Sequence, residues 1–383
     1  MTPQPPPEPP ADRVSTVARL VRESWAVVAP HEDEVAQLFC GILFSLNPDL
    51  RELFPIHLRE VGYHMVHSIV RYLQVMDRQD EAMPLLRQMG RDHRKFGVIA
   101  GQYETVGTAL LGAIKRYAGT TWTVEVELAW AEAYTIMAQA MLDAAAKDDG
   151  PAWWPAEVIE HERLGWGLAR VRVRPDYPLP YRAGQYVSVE VPQRPRLWRH
   201  LSPANAPRDD GVIEFHVRAV DNGWVSRAIV RHTEVGQLWR LGPAQGEMSV
   251  DRTSRRPVLM VAGGTGVAPM LSIIENLAQF GDNPRVQLFY GGRTPDDLYA
   301  LDLLGQLASV NPWLTVVPVV EQHLGAVDAE QGTLADAVTR YGSWSDRNVL
   351  VSGSPAMIRA TVSRMLVAGT PLERIHYDPF NTD

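Results

Sequence analysis

Leu259-Met-Val-Ala-Gly-Gly-Thr-Gly-Val-Ala-Pro-Met270 decides the class of the C-terminal third. A run of buried-strand residues breaks off into glycines at 263, 264 and 266, and the pattern predicts a helix starting at Pro269. Glycine permits a sharp turn and brings bare backbone N–H groups against a phosphate; a helix N-terminus adds partial positive charge. Gly263, Gly264, Thr265 and Gly266 therefore read as the cradle for a dinucleotide pyrophosphate, which assigns NAD(P) to this part of the chain.

From Val258 onward strands alternate with helices: Val258–Val261, a helix to Ala278, Val286–Tyr290, a helix near 298–307, Leu314–Val320, a helix near 334–341, Val349–Ser352 and a helix from Ala356. This is the rhythm of a parallel sheet, expected over 255–383. Upstream, over 156–254, short alternating runs at 158–160, 168–173, 186–191 and 213–217 are separated by turn residues, as in a small antiparallel barrel. Asp148-Asp-Gly-Pro-Ala-Trp-Trp-Pro155 reads as a linker. Over 13–147 the apolar spacing is helical: Val17, Leu20 and Val21; Val35, Leu38, Phe39, Ile42 and Leu43; Val66, Ile69, Val70 and Leu73; Leu128, Ala131, Tyr134, Ile136 and Met137. Pro48, Pro55 and Pro84 are expected at breaks between these helices. Residues 1–12 contain Pro at six positions and almost nothing apolar, and read as a disordered tail. The fold class is thus multidomain: all-α, then an antiparallel β-barrel, then α/β with a parallel sheet.

Bulk properties exclude several functions. With 383 residues, 45% of them hydrophobic, the chain fills two or three cores. A net charge of −8 disfavours nucleic-acid and anionic-membrane partners. The single cysteine, Cys40, excludes an internal disulfide and a cysteine-based zinc site. No apolar run approaches a membrane span and no signal-peptide core follows Met1, so a cytoplasmic location is expected.

Arg199-His-Leu-Ser202-Pro-Ala-Asn205 follows a barrel strand, where an arginine fork can hold a diphosphate and Ser202 shares a side with His200. Gly223-Trp-Val-Ser226 opens a helix with N–H groups and a hydroxyl, a second phosphate cradle. In this order, with the glycine loop, these motifs resemble the ferredoxin–NADP reductase superfamily. The resemblance implies that Arg199 binds the FAD pyrophosphate, that Ser202 bonds near flavin N5, and that Gly223 and Ser226 hold phosphate. Tyr186, in Tyr181-Arg-Ala-Gly-Gln-Tyr186, matches the family's Pro-Gly-Gln-Tyr strand. Leu201 stands where the family has a tyrosine against the flavin, and Ser352 where it has a cysteine beside the nicotinamide. In the ending Ile375-His-Tyr-Asp-Pro-Phe380, Phe380 is similar to the family's flavin-covering aromatic. Beyond the second strand, Asp296 and Asp297 would repel a 2′-phosphate and accept from ribose hydroxyls, which favours NADH over NADPH.

In the helical part, Asp92-His93-Arg-Lys-Phe96 places a nitrogen ligand three residues before an aromatic, Tyr103 starts the next helix, and Phe54 follows a proline-initiated turn. Neutral imidazole is the usual axial ligand of haem iron, and aromatics suit the macrocycle face. These residues resemble the globin domain of flavohaemoglobins, whose order of globin, FAD barrel and NAD domain agrees with that of residues 13–383. The resemblance implies His93 as the proximal ligand of a haem b, Phe54 packed on haem and Tyr103 supporting the proximal side. The glutamate of the family's proximal network is missing. On the distal side the family's oxygen-binding tyrosine falls on Cys40, its glutamine on Val61 and its leucine on Met65. His64 offers an alternative at a spacing before His93 similar to that of animal globins; Val61 is preferred. Cys40 otherwise reads as a small buried hydrophobe. The family implies NAD(P)H, FAD and haem passing electrons to bound O₂, with NO converted to nitrate. The diatomics and NAD(P)H are the implied partners, with no obligatory protein partner. The rival functions are an NAD(P)H-dependent haem or flavin reductase with weak NO dioxygenase activity, and a haem-based redox or gas sensor.

Overall fold

A computed structural model describes residues 11–55, 58–165, 167–322 and 328–378. Residues 1–10 of the expected tail and Phe380 lie outside the described residues, and residues 11–12, expected in the tail, open the first helix. The chain divides into two compact units, Met1–Ala152 and Trp153–Asp383.

The first unit is helical: α1 (Ala11–Val28), α2 (Glu32–Leu46), α3 (Leu58–Gln74), α4 (Gln79–His93), α5 (Ala100–Ala118) and α6 (Val124–Ala146). Val14, Val17, Ala18, Val21, Trp25 and Val28 give α1 one continuous buried stripe at helical spacing. Thr123 caps α6 by accepting from Val126 N. Two expectations are corrected. Pro84 lies inside α4 rather than at a break, because α4 continues although proline contributes no N–H. Leu128 is 64% exposed, because the buried stripe of α6 runs through Val126, Ala129, Trp130, Ala133 and Met137 instead. Glycines allow the closest helix approaches. A Cβ on Gly90 of α4 would stand 2.2 Å from the Met141 carbonyl oxygen on α6, and one on Gly62 of α3 would stand 2.6 Å from Cys40 Sγ on α2.

The second unit begins with β1 (Trp154–Gly165), β2 (Leu168–Pro175), β3 (Val187–Glu190), β4 (Arg199–Leu201), β5 (Ile213–Arg218), α7 (Trp224–His232) and β6 (Leu238–Leu241). The strands are antiparallel in the order β4-β3-β6-β1-β2-β5. A bridge between Pro203 and Phe215 brings the chain after β4 against β5 and nearly closes the barrel. Valines on alternating positions fill it around Phe215 and Trp239.

Then follow β7 (Val258–Gly263), α8 (Val267–Ala278), β8 (Val286–Gly292), α9 (Leu301–Val310), β9 (Leu314–Val320), β10 (Glu330–Gln331), α10 (Leu334–Thr339), β11 (Asn348–Ser352), α11 (Pro355–Val367) and β12 (Ile375–His376). This sheet is wholly parallel, in the order β10-β9-β8-β7-β11-β12. Its strand order reverses between β7 and β11, and the crevice at their carboxyl ends is where such sheets take ligands. The helix after β7 starts at Val267, ahead of the expected Pro269, because the short turn Gly264–Gly266 leads straight into it. Pro269 in the first turn loses no helical bond.

The barrel and the parallel sheet join along α8. Ser272 Oγ donates to the Asn205 carbonyl oxygen (2.7 Å), and Ala206 N donates to Glu275 (2.7 Å). Among the described residues no helix is long and apolar enough to cross a membrane.

Candidate functional site

The 263–266 loop, expected to take a dinucleotide pyrophosphate, occupies the switch point. Gly263 to Gly266 are half-buried, between the buried residues 258–262 of β7 and the buried residues 267–274 of α8. Gly264 has φ +54°, a conformation other residues resist. A Cβ on Gly266 would lie 2.4 Å from the Ser352 carbonyl oxygen and 2.6 Å from Gly353 N, so the loop sits directly on the turn after β11. Ser352, where the resemblance puts a cysteine, is 6% exposed beside that contact. Asp297 is not the free ribose acceptor expected from the sequence. Its carboxylate accepts from Arg293 N and Thr294 N, both at 3.1 Å, and pairs with Arg218 at 3.1 Å. Asp296 remains exposed.

The flavin motifs lie on β4 and α7. Arg199 is exposed, while Leu201 and Ser202 are half-buried. Leu201 opposes Val187, and His200 opposes Ser188, across the β3–β4 pair. Tyr186, immediately before β3, lies against His200 with ring centroids 4.9 Å apart. At the start of α7, Ser226 Oγ accepts from Val220 N and donates to the Gly223 carbonyl (3.3 Å each). A Cβ on Gly223 would stand 2.3 Å from Ser226 Oγ, so only glycine leaves this cradle open. These groups suit a diphosphate: an exposed guanidinium, whose Nη1 donates to the Trp198 carbonyl (2.9 Å), and the first N–H groups of a helix.

In the helical unit, His93 ends α4. Its Nδ1–H donates to the Met89 carbonyl oxygen at 2.8 Å, which fixes the tautomer and leaves Nε2 as the free basic nitrogen. Burial pushes the imidazole below its ordinary pKa, so the ring is neutral, as a metal ligand must be. Phe96 meets the ring edge-on at 5.6 Å. These features fit an axial ligand of haem. Phe54 is half-buried and packs edge-to-face on Phe44 at 5.2 Å, with Arg51 donating to the Phe54 and Pro55 carbonyls. Tyr103 is half-buried in the first turn of α5, burial raises its phenol pKa, and its backbone carbonyl accepts from Tyr134 OH at 2.7 Å.

The distal candidates separate by exposure. Val61 and Met65 are half-buried and lie four apart on one stripe of α3, whereas His64 is exposed, its ring 5.8 Å from Tyr63. Cys40 is 8% exposed against Gly62, and burial pushes its thiol pKa up. The face formed by Cys40, Val61 and Met65 carries no strong hydrogen-bond donor.

Comparison with known proteins adds the assignment. Residues 39–141 match the globin family, 155–249 the oxidoreductase FAD-binding domain and 260–363 the oxidoreductase NAD-binding domain, in that order. The flavohemoprotein of Bordetella parapertussis is 28% identical over 96% of this chain and 98% of its own length. Globin, FAD-binding and NAD-binding domains thus follow one another on a chain similar to flavohemoproteins over nearly its whole length. The crystal structure of a flavohemoglobin from Malassezia yamatoensis, with bound FAD and heme, covers 94% of this chain and 98% of that one at TM-score 0.77 and 19% identity. The FAD/NAD-binding domain of a nitric oxide dioxygenase from Vibrio cholerae covers 60% of this chain and 98% of that one at TM-score 0.51 and 22% identity. The three modules of a flavohaemoglobin, taking haem, FAD and NAD, are therefore all present.

Several residues of this site escaped the sequence. Lys95, with a side chain 3% exposed, holds both Asp92 oxygens at 2.7 Å two residues past His93. Asn205 ended a quoted motif without a role, yet it is 2% exposed and ties five groups. Its Nδ2 donates to the Ala206 and Val212 carbonyls (2.9 Å each) and its Oδ1 accepts from Glu214 N (2.8 Å). Its backbone carbonyl accepts from Tyr181 OH (3.0 Å) and Ser272. A polar chain also crosses from barrel to sheet: Arg172 and His216 both bond Glu214, and His216 shares a hydrogen bond with Tyr299 (2.9 Å). Asn205, Glu214 and Tyr299 leave no local sequence signal, because Tyr181, Ser272, Arg172 and His216, which they bond, include partners remote in the chain.

Proposed function

We propose that this chain is a flavohaemoglobin and a nitric oxide dioxygenase: NADH reduces FAD, FAD re-reduces the globin haem, and haem-bound O₂ with NO gives nitrate. Two NO and two O₂ with one NADH yield two nitrates, NAD⁺ and a proton. The observation carrying this reading is His93, neutral, half-buried and oriented by Met89, on the same chain as a pair of candidate flavin and nicotinamide phosphate cradles. The solved relatives that bind FAD and heme, or are named nitric oxide dioxygenase, support it.

The chain's own residues have separable tasks. Gly263–Gly266 and the N-terminus of α8 hold the nicotinamide cofactor's pyrophosphate against Ser352. Arg199, Ser202, Gly223 and Ser226 hold FAD, and Tyr186 and Leu201 border its ring. Phe54 packs on haem, Tyr103 backs the proximal side, and His93 is the iron ligand. The bound cofactors supply hydride, electron and oxygen chemistry; the protein supplies position and electrostatics.

A second reading is favoured by the distal face. A donor to bound O₂ is worth about 1–3 kcal/mol in such a pocket, and Cys40, Val61 and Met65 provide none. On that reading the protein is an NAD(P)H-dependent haem or flavin reductase with slow dioxygenation. Mixing the oxygenated, NADH-reduced protein with NO and counting nitrate against NADH consumed separates the two. A ratio near two nitrates per NADH is expected; NADH oxidation that far outruns nitrate overturns the dioxygenase reading.

A further inference from the structure

Asp378 lies just past β12, at the junction of the parallel sheet with the barrel. It is 6% exposed, and its Oδ2 has no hydrogen-bond partner among the described residues. A Cβ built on Gly246 would lie 2.9 Å from Asp378 Oδ1 and 2.9 Å from the Tyr186 ring, so carboxyl and ring meet over that glycine. Tyr186 in turn packs on His200 of β4, between Arg199 and Leu201. The carboxyl therefore stands at the flavin motif, with Oδ2 making no hydrogen bond among the described residues.

Leaving a buried carboxyl unpartnered is costly, and leaving it ionised there costs far more. Burial alone pushes its pKa up to about 7. The groups facing it confirm why no charge opposes this. From the barrel come the Tyr186 phenol, with His200 behind it, and the turn Gln245–Glu247, whose Glu247 is exposed; from its own segment come His376 and Tyr377, also exposed.

We infer that Asp378 is a flavin ligand in its neutral form, its O–H donating to an acceptor on the flavin ring, so that FAD is held tightly only while this carboxyl keeps its proton. The inference rests on the FAD reading above. FAD carries no group of its own that titrates near neutrality, so the proton belongs to the protein.

The test is FAD binding rather than turnover. The full-length protein, stripped of FAD, is titrated with FAD by fluorescence from about pH 5.5 to 9. The expected Kd is flat on the acid side and rises roughly tenfold per pH unit above about pH 7, with about one proton taken up on binding at the alkaline end. Proton uptake is read calorimetrically in two buffers of different ionisation enthalpy and needs no variant. Asp378→Asn, whose amide N–H replaces the O–H, is expected to bind FAD with no pH slope. A flat wild-type profile, an affinity that rises with pH, or an Asn variant that keeps the slope overturns the proposal alone. No FAD binding at any pH overturns the FAD reading and this proposal together.

Discussion

Gly266 shows how little room single residues have at the nicotinamide site. A methyl group there would overlap the Ser352 carbonyl and Gly353 N, both backbone, which cannot rotate away. Gly266→Ala therefore forces the loop after β7 off the turn after β11, with about 1–3 kcal/mol of overpacking. The expected result is slower flavin reduction by NADH, at least tenfold in kcat/KM, with FAD content unchanged; unaltered reduction kinetics would show that this contact does not shape the cofactor loop. The glycines themselves were legible in the sequence, because a strand ending in Gly-Gly-Thr-Gly has few uses. Their partner, the 352–353 turn, was visible only as a departure from a family pattern. Asp297 was misread for a related reason: a carboxylate near a ribose site looks identical in sequence whether it waits for a hydroxyl or caps its own turn.

At the level of elements, helical spacing located α1, α2, α3 and α6, and βαβ alternation located β7, β8, β9 and β11 with their helices, because both patterns are local. The short β4, β6, β10 and β12 carry too few residues to show one. What periodicity did not reveal is how closely elements approach. Gly90 and Met141 put the backbones of α4 and α6 in contact, and α4 ends in His93. Gly90→Ala is expected to push α4 outward, destabilise the helical unit by about 1–3 kcal/mol and weaken haem retention. Soret absorbance after gel filtration and the helical unit's thermal midpoint report this, while flavin fluorescence of residues 153–383 stays constant. A variant with full haem and an unchanged midpoint would mean the helices have slack the contact does not suggest. On the distal side, Gly62 seats Cys40, while Val61 and Met65 are half-buried and His64 is exposed.

For the molecule as a whole, two units fold around separate cores, and within the second unit polar ties join barrel to sheet alongside the apolar packing of Ala183 and Met248 against α8. Glu214 is central among them. Burial pushes its carboxyl up, but hydrogen bonds and charge from His216 and Arg172 outweigh this and hold it at about 2, against 4.5 unfolded. A depressed carboxylate adds stability that is present above the unfolded value and is lost as pH falls toward the folded one. The second unit should therefore weaken as pH drops from about 4.5 to about 2. Glu214→Gln should lower its denaturant midpoint at pH 7 and narrow the gap between pH 7 and pH 3, read by flavin fluorescence; an equal gap in both proteins would remove Glu214 from that role. Asn205 carries a further consequence. Because it pins the end of the flavin-bearing strand and the nicotinamide helix to a single peptide, the two redox partners share one mechanical datum. Hydride hops tolerate misalignment of well under an ångström before rates collapse. Evolution can thus retune either cradle independently, but any drift at this one amide detunes both at once.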